Sequence, residues 1–460
     1  MKDLKIRARE AALLALLRVD KEGAYANLEA AAHPGAGEWP LAESRFFTQL
    51  FYGTLRQRAS LDFLLGFLLN QPLLKLPLPI RWLLRLSLYQ LHYLAKIPAS
   101  AAVNEGVKLA KKYGHQGTAA LTNAVLRNYL RRQEEMDIKT LARQECGDDQ
   151  ASYLAISQSY PRWLMAYLLD LWPAEQVEAF CSYHNQLFGI SIRTNTLRLS
   201  RDQLLAQLKE EGAEPGCLAP EAIFLSHSAG LSRWPQFKSG LFQIQDEASM
   251  LAGHILGAAP GSRILDLCAA PGGKATHIAQ LTGDKAQIHA FDLYPHKLDL
   301  LQENCRRLGI NSILAQAGDA LQLSEEYTNW ADYLLLDAPC SGLGVLGRRP
   351  DARWRKQPED IPRLVTLGRQ LLTAANRYLR PGGILLYSTC TVTREENEGN
   401  VAWFMENFTN FALTPFAHLL PAYLPQEALA AAKRGIWQLL PQDFGTEGFF
   451  YARLQKRVRS

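Results

Sequence analysis

The first third of the chain carries apolar residues at the spacing of amphipathic helices. They recur every three or four positions, which places them on one face of a helix. The apolar segments are 11–19, 46–55, 61–69, 80–94 and 103–130, with proline and glycine clusters at 34–37 and 72–79 between them. This pattern predicts an all-α domain over residues 1–140, which a charged stretch near 134–144 separates from the rest.

The pattern changes in the middle of the chain to a mixture of helix and strand. Residues 150–180 keep a helical spacing, whereas residues 190–195 alternate between apolar and polar as a half-buried strand does. A predicted helix at 201–211 and a predicted strand at 222–226 follow. We therefore expect a small α+β unit over residues 145–240.

From residue 262 onward, short apolar runs alternate with helical segments. Such an alternation predicts a parallel sheet with helices on both faces. The predicted strands are 263–268, 287–292, 312–317, 333–338 and 383–388, the later helices are 361–379 and 394–407, and a terminal strand pair occupies 437–440 and 448–454. The sequence thus predicts a multidomain protein whose C-terminal domain, 241–460, is α/β and Rossmann-like, with a mostly parallel sheet.

The charge distribution gives a reason to expect a polyanionic partner. The 460 residues carry a net charge of +5. Residues 1–140 hold 20 basic and 12 acidic residues, a balance of +8, whereas the remainder of the chain balances at −3. A basic helical domain suits contact with phosphates, although a solvated helical surface accounts for the same balance equally well.

The cysteine pattern and the N-terminus exclude several classes of protein. The seven cysteines include no C-x-x-C pair, which disfavours a disulfide framework and a zinc site, so no metal is expected. The charged start of the chain, Met1-Lys2-Asp3, lacks the apolar core of a signal peptide, and no apolar run is long enough to span a membrane. We expect a cytoplasmic monomer with no membrane partner.

A glycine-rich turn at 266–274 is the strongest indication of a cofactor. It joins the first strand of the C-terminal domain to a helix, where glycines let a ligand approach the backbone and the helix N-terminus offers free N–H groups. The glycines alone are also compatible with a plain tight turn. The expected cofactor-binding residues in the turn are Cys268, Ala269, Ala270, Pro271, Gly272, Gly273 and Lys274.

Acidic residues at the ends of the next three strands strengthen this prediction. Asp292 can accept hydrogen bonds from both hydroxyls of a ribose, Asp319 can reach an adenine amino group, and Asp337 ends the fourth strand. The carboxyl ends of parallel strands open onto one crevice. Because this turn carries no G-x-G-x-x-G and Lys274 follows its glycines, S-adenosylmethionine is a better expectation than a dinucleotide.

Two cysteines, Cys340 and Cys390, also stand at the carboxyl ends of predicted strands. A lone cysteine is usually a small core residue, but two beside a cofactor site suggest covalent catalysis. A thiolate that adds to C6 of a cytosine makes C5 nucleophilic enough to take a methyl group. Asp337 would then act at N3 of the base, the second cysteine would assist release, and Lys274 would bias both electrostatically. The topology does not rank the two cysteines.

Several motifs resemble the RNA cytosine-5 methyltransferases. Residues 268–274, 337–342 and 388–390 look like the signature motifs of that family, 243–250 resembles the segment that leads into its catalytic domain, and 448–454 resembles its closing strand. In that family the cysteine of the Thr-Cys motif is the nucleophile, and the cysteine of the Pro-Cys motif assists product release. The resemblance therefore implies that Cys390 attacks the base and that Cys340 helps to release the product.

The N-terminal helices resemble a second family. Residues 97–111 and 122–127 are similar to the NusB antitermination-factor fold. The combination implies the branch of the family that methylates bacterial 16S ribosomal RNA, naked or in a partly assembled small subunit, with cytosine 967 as the target. The alternatives are a transfer-RNA cytosine-5 methyltransferase, a non-enzymatic RNA-binding assembly factor and, more weakly, a DNA methyltransferase.

Two parts of the chain are candidates for direct contact with RNA. Arg193 and Asn195 lie on a predicted strand of the middle unit, where a plain surface strand is an equally good interpretation. The segment between the two cysteines combines guanidinium groups with an aromatic ring, as RNA-facing loops often do. The candidates in that segment are Arg348, Arg349, Arg353, Trp354 and Arg355.

Overall fold

The computed structural model describes residues 7–32, 39–186, 189–226 and 230–458. These residues form two compact units. A helical unit contains the described residues up to 186 together with Leu346–Lys356, and a catalytic unit contains the remainder. The chain thus leaves the catalytic unit after Val345 and returns to it at Gln357. The predicted break at 34–37 lies outside the described residues.

The helical unit is built around one helix that is apolar on most of its circumference. Helix α5 buries ten side chains, among them Trp82, Leu84 and Leu88, and it packs against α1, α3, α4, α6 and α7. A helix that is buried on all sides is expected at the centre of an all-α domain. The helices before the first strand are α1 (Ala8–Lys21), α2 (Ala26–Ala31), α3 (Leu41–Arg56), α4 (Arg58–Leu68), α5 (Leu78–Tyr93), α6 (Ala99–Lys112), α7 (Gln116–Arg131), α8 (Ile138–Cys146), α9 (Gln150–Ser157), α10 (Arg162–Leu171) and α11 (Ala174–Asn185).

The catalytic unit begins with a small antiparallel sheet. Its strand order is β2-β3-β1-β4, and its own core contains Ile192, Leu204, Ile223 and Phe242. The elements are β1 (Ile190–Thr194), α12 (Arg201–Gln207), β2 (Ala213–Pro215), β3 (Ala222–Leu225), α13 (Pro235–Lys238) and β4 (Phe242–Ile244).

A larger sheet follows, with the strand order β10-β12-β9-β8-β5-β6-β7 and with β11 paired to β12. Strands β5 to β9 run parallel to one another, and β12 pairs antiparallel with β9, β10 and β11. The elements are α14 (Glu247–Leu256), β5 (Arg263–Asp266), α15 (Gly273–Leu281), β6 (Gln287–Asp292), α16 (Pro295–Leu308), β7 (Ile313–Ala317), β8 (Ala331–Asp337), α17 (Ala352–Arg355, in the helical unit), α18 (Asp360–Tyr378), β9 (Leu379–Thr389), α19 (Glu398–Asn407), β10 (Phe411–Leu413), α20 (Gln426–Lys433), β11 (Ile436–Leu439), α21 (Pro441–Phe444) and β12 (Phe449–Lys456).

Alternate residues of the central strands enter two different cores. On β5, Ile264 packs with residues of α14, α15 and α16, whereas Leu265 packs with residues of α18 and α19. The helices therefore cover both faces, as the strand-helix alternation predicted. The first strand, β5, has β6 on one side and β8 on the other, so the strand order reverses beside it. A ligand crevice forms at such a switch point, at the carboxyl ends of the strands.

The predicted fold class is confirmed, but several details differ. Strands β2 and β4 were not predicted, because runs of three residues carry no periodicity. Helix α19 begins at Glu398 rather than at 394. Helices α8 to α11 cluster with the helical unit, and β4 extends the small sheet to Ile244. The predicted domain boundaries at 140, 145 and 240 stay predictions.

Candidate active site

The predicted cofactor turn connects β5 to α15 at the switch point of the large sheet. Gly272 has a φ of +95°, and a Cβ atom placed on it would lie 2.7 Å from Cγ of Leu301, so only glycine fits there. The amide of Ala269 donates to the carbonyl of Phe291 over 2.8 Å, which holds the turn against β6. Cys268 is only partly exposed, and burial raises the pKa of its thiol well above the usual value.

Arg193 is buried and stabilises this turn through hydrogen bonds. Its guanidinium group donates to the carbonyl of Gly273 over 2.6 Å, to Oγ1 of Thr276 over 3.0 Å and to Oε1 of Gln245. The residue is completely buried. The prediction that Arg193 contacts RNA is therefore wrong, because the guanidinium is buried and bonds to groups inside the protein.

Asn195 is buried as well, and its side chain joins three segments of the catalytic unit. Its amide nitrogen donates to the carbonyls of Gly240 and Leu308, and its amide oxygen accepts from Gln280 over 3.0 Å. The predicted RNA contact of Asn195 is also wrong, since no part of this side chain is exposed.

The predicted acidic residues lie at the strand ends, in two different settings. Asp292 is largely buried and accepts from the amides of Ala270 over 3.3 Å and Tyr294 over 3.0 Å, so it joins the cofactor turn to the end of β6. Asp319 is exposed after β7 and accepts from the amide of Leu321 over 2.9 Å. Both positions are at the carboxyl edge of the parallel strands, as the sequence predicted.

Lys274 and Asp337 form an ion pair at the mouth of the same crevice. Nζ of Lys274 donates to Oδ2 of Asp337 over 2.7 Å, and Oγ of Ser388 donates to Oδ1 over 2.8 Å. Burial opposes the charge of Lys274, but the Asp337 carboxylate outweighs burial, and the pKa of the lysine lies above its ordinary value. A thiolate at Cys390 raises the pKa of Lys274 further. The ammonium group therefore stays charged beside the carboxylate.

The two cysteines are neighbours. Sγ of Cys340 lies 3.4 Å from Sγ of Cys390, and both residues are partly exposed. The hydrogen bond to Cys390, together with burial, raises the pKa of the Cys340 thiol well above its usual value. The amide of Gly344 donates to the carbonyl of Cys390 over 3.0 Å, which fixes the loop after Cys340 to the end of β9.

Comparisons with known proteins agree with this arrangement. Residues 254–455 match the family model described as 16S rRNA methyltransferase RsmB/F, residues 6–131 match the NusB family, and residues 160–231 match the ferredoxin-like domain of the RsmF/B-like methyltransferases. The chain is 36% identical over 456 residues to the probable ribosomal RNA small subunit methyltransferase B of Bacillus subtilis, which covers 98% of this chain and 99% of that one. The chain belongs to the RsmB/F family of 16S rRNA methyltransferases.

A second relative and two solved structures are also similar to this chain. The ribosomal RNA small subunit methyltransferase B of Pseudomonas putida is 37% identical over 418 residues, 89% of this chain and 90% of that one. The crystal structure of PH0851 has a TM-score of 0.80 at 28% identity and covers 99% of this chain and 100% of its own. NSun6 from Pyrococcus horikoshii, solved with SFG, has a TM-score of 0.58 at 25% identity and covers 66% of this chain and 100% of its own.

The RNA-facing segment predicted between the cysteines of this RsmB/F family member lies mostly inside the helical unit. Arg353 is completely buried, donates to Oδ1 of Asn185 over 2.6 Å and to the carbonyl of His184 over 2.9 Å, and lies 4.0 Å from the ring centroid of Tyr160. Nε1 of Trp354 donates to the carbonyl of Leu55 over 2.8 Å. The predicted RNA contact of Arg353 is therefore wrong, because this side chain is completely buried. Trp354 is partly exposed, and its RNA contact stays a prediction.

The other three residues of this segment differ in exposure. Arg355 is partly buried, donates to the carbonyl of Ala24 and pairs with Asp351 over 3.5 Å, and its RNA contact stays a prediction. Arg348 is partly buried and Arg349 is exposed. Among the five residues predicted in this segment, Arg349 alone is exposed.

Two buried acidic side chains beside the predicted site, Asp266 and Glu396, were not among the site residues predicted from the sequence. Asp266 ends β5, and its buried Oδ2 has no hydrogen-bond partner among the residues that the structure describes. Burial, reinforced by the charge of Asp337, raises the pKa of Asp266 to about 7. Glu396 is 1% exposed between the cysteine loops. The signal for Asp266 was its position at a strand end, whereas Glu396 lies in an irregular turn and had no such signal.

The sequence also gave no sign of a buried carboxylate between two histidines. Nε2 of His277 lies 2.6 Å from Oε1 of Glu221, and Nε2 of His254 lies 3.1 Å from it. These residue types can hold a divalent metal, but ligands of a tetrahedral zinc stand about 3.3 Å apart when the metal bonds are ~2.0–2.1 Å. The 2.6 Å contact fits a direct carboxylate–imidazole interaction, which ties the start of β3 to α14 and α15.

Proposed function

We propose that this chain transfers a methyl group from S-adenosylmethionine to C5 of a cytosine in 16S ribosomal RNA, with cytosine 967 as the target. The observation that carries the proposal is the 3.4 Å separation of Cys340 and Cys390, at the carboxyl ends of neighbouring strands and beside the Lys274–Asp337 pair. Such a pair of partly exposed thiols suits covalent activation of a pyrimidine.

The crevice fits the proposed cofactor. The turn at Gly272 permits close approach of a ligand, Asp292 stands at the end of the second strand, and the buried Oδ2 of Asp266 lacks a partner among the described residues. An adenosine ribose would be held by Asp292 and the adenine by Asp319, while the amine of the methionyl part suits the unpaired Asp266 oxygen. When bound, S-adenosylmethionine supplies an electrophilic methyl group.

The side chains then act on the base. The Cys390 sulfur forms a bond to C6 while its thiol proton passes by way of the Asp337 carboxylate to N3, and the electron pair of the C5–C6 double bond becomes available at C5. C5 then takes the methyl group, and S-adenosylhomocysteine would be left behind. A base removes the C5 proton, N3 gives up its proton, the double bond re-forms and the Cys390 sulfur leaves as a thiolate. The positive charge of Lys274 stabilises the Cys390 thiolate both before it attacks C6 and after it leaves.

The assignment of roles to the cysteines has support from electrostatics. The pKa of the Cys340 thiol is raised by its hydrogen bond to Cys390 and by burial, which suits a group that keeps a proton available for product release. The ammonium of Lys274 lies within electrostatic range of Cys390. We therefore infer that Cys390 attacks and that Cys340 assists release.

The helical unit is the proposed source of general RNA affinity. Lys111 and Arg131 are exposed near the ends of α6 and α7, where cations complement the helix dipole and can contact phosphates. Because the proposed substrate is ribosomal RNA, alone or in a partly assembled small subunit, we place the protein in the cytoplasm as a monomer. No helix of the described chain is long and apolar enough to cross a membrane.

The test compares two single substitutions. We expect Cys390→Ala to abolish methyl transfer while the protein still binds S-adenosylmethionine, and Cys340→Ala to trap a covalent RNA–protein adduct that survives denaturation. Bisulfite sequencing of ribosomal and transfer RNA from cells that lack the protein identifies the base. An adduct that forms in Cys390→Ala instead would reverse the two roles, and a site lost only from transfer RNA would overturn the proposed substrate.

A further inference from the structure

Glu396 is a buried carboxylate in the turn between β9 and α19. It is 1% exposed. Its Oε1 accepts from the amide of Ser341 over 2.7 Å, and its Oε2 accepts from Oγ of Ser341 over 2.5 Å and from Oγ1 of Thr393 over 2.6 Å. A buried carboxylate is costly unless such donors satisfy it. Three short hydrogen bonds therefore fix this group and the groups that donate to it.

These hydrogen bonds connect the two segments that carry the cysteines. Ser341 directly follows Cys340, and Thr391 directly follows Cys390. Oγ of Ser341 and Oγ1 of Thr391 are 2.6 Å apart, so Thr391 donates to Ser341 while Ser341 donates to Glu396. Ser341 and Thr391 are both buried. Glu396 is thus the end acceptor of a short chain of hydroxyl groups that joins one cysteine loop to the other.

The two cysteines depend on Glu396 to different degrees. Cys390 directly follows β9, whose last residues pair with β8 through Ser388 and with β12 through Thr389. Cys340 lies in an irregular loop beyond the end of β8, and Ser341 is the residue that anchors it through both a backbone and a side-chain hydrogen bond. Loss of the carboxylate would therefore displace Cys340 more than Cys390.

We propose that Glu396 is a positioning residue for product release, which holds Cys340 next to the Cys390 sulfur and is dispensable for the initial attack on the base. This inference rests on the proposed function. Its chemical consequence is specific: without Glu396, Cys390 still bonds to C6 and C5 is still methylated, but removal of the C5 proton and expulsion of the thiolate become slow. The enzyme then accumulates as its covalent adduct with RNA.

The experiment uses the full-length protein, S-adenosylmethionine and a 16S ribosomal RNA transcript. We expect Glu396→Ala to lower kcat by roughly 10- to 100-fold, as a displacement of about 1 Å at a reacting group does, with the KM for S-adenosylmethionine within about twofold of the wild-type value. A denaturing gel should show the adduct that Cys340→Ala forms. The double variant should accumulate no more adduct than Cys340→Ala alone, because both changes block one step.

Two further variants separate positioning from general damage. Glu395→Ala removes a neighbouring exposed carboxylate and should leave kcat and adduct level unchanged. Glu396→Gln keeps an acceptor for the Ser341 amide, so its kcat should lie between those of wild type and Glu396→Ala. If the alanine variant does not fold, the adduct level of Glu396→Gln tests whether Glu396 positions Cys340 for release. Loss of activity without adduct in both Glu396 variants would overturn the inference while an adduct in Cys340→Ala upholds the proposed function. Absence of adduct in Cys340→Ala would count against that function itself.

Discussion

The buried guanidinium of Arg353 leads to the sharpest prediction, because the sequence favoured RNA contact and the structure favours a structural role. Truncation in Arg353→Ala removes the hydrogen bonds to Asn185 and His184 and the contact with the Tyr160 ring. The two acceptors then lose a charged donor, at about 1–3 kcal/mol each, and the ring contact is worth up to about 2 kcal/mol. Truncation also removes the free-energy cost of burying the charge, which offsets part of this loss. We therefore expect the free energy of unfolding to fall by roughly 3–4 kcal/mol.

Calorimetry and RNA titration together test this reasoning. For a domain of this size, such a loss lowers Tm by roughly 10 °C, whereas Arg349→Ala, on an exposed neighbour, should leave Tm unchanged within about 1 °C. An arginine that contacts a phosphate contributes about one unit to the slope of log affinity against log salt concentration. A variant of Arg353 with wild-type Tm and a reduced salt slope would show that Arg353 binds RNA after all.

Two further predictions concern the cofactor crevice. Because burial raises the pKa of Asp266 to about 7 from an ordinary 3.8, the folded protein binds this proton more tightly than the unfolded chain and loses stability as pH rises through that window. Asp266→Asn should therefore exceed the wild type in free energy of unfolding by about 2–4 kcal/mol at pH 8 and by less at pH 5, measured with urea; an equal difference at both pH values contradicts the shift. Gly272→Ala places a Cβ 2.7 Å from Cγ of Leu301 at a φ of +95° and should weaken S-adenosylmethionine binding at least tenfold by calorimetric titration, a cost of about 1–3 kcal/mol. Gly261→Ala, with a φ of +81° and no atom within 4 Å, is its control, and equal affinities in the two variants would contradict the steric argument.

The sequence was a good guide to whatever depends on local periodicity. The parallel strands and the carboxylates at their ends could be predicted because alternation and chain direction are local properties, and Asp292, Asp337 and the two cysteines all lie at strand ends. The proximity of the two sulfurs also followed, since β8 and β9 are adjacent in the sheet. The glycine turn was recognisable from the strand before it and the helix after it.

The misplaced and overlooked charged residues share one physical cause, which is that a charged side chain can be buried when distant parts of the chain supply its partners. Arg193 and Arg353 were expected at the surface, but their partners lie 80 and 168 residues away in sequence, and no local pattern records such a distance. Glu396 was overlooked for the same reason. Strands of three residues, such as β2 and β4, are stabilised by the neighbour they pair with and carry no pattern of their own.

The segment Leu346–Lys356 has a practical consequence for anyone who divides this protein into parts. It lies in the chain between Cys340 and α18, yet it packs with the helical unit. A catalytic fragment that starts after α11 would include Arg353 and Trp354 without the helices that they pack against. In the matching helical fragment, the carbonyls of His184 and Leu55 would lose the donors that these two side chains provide. The two halves are best separated by excising the segment and rejoining the chain from Val345 to Gln357, with the missing piece supplied to the helical fragment as a peptide.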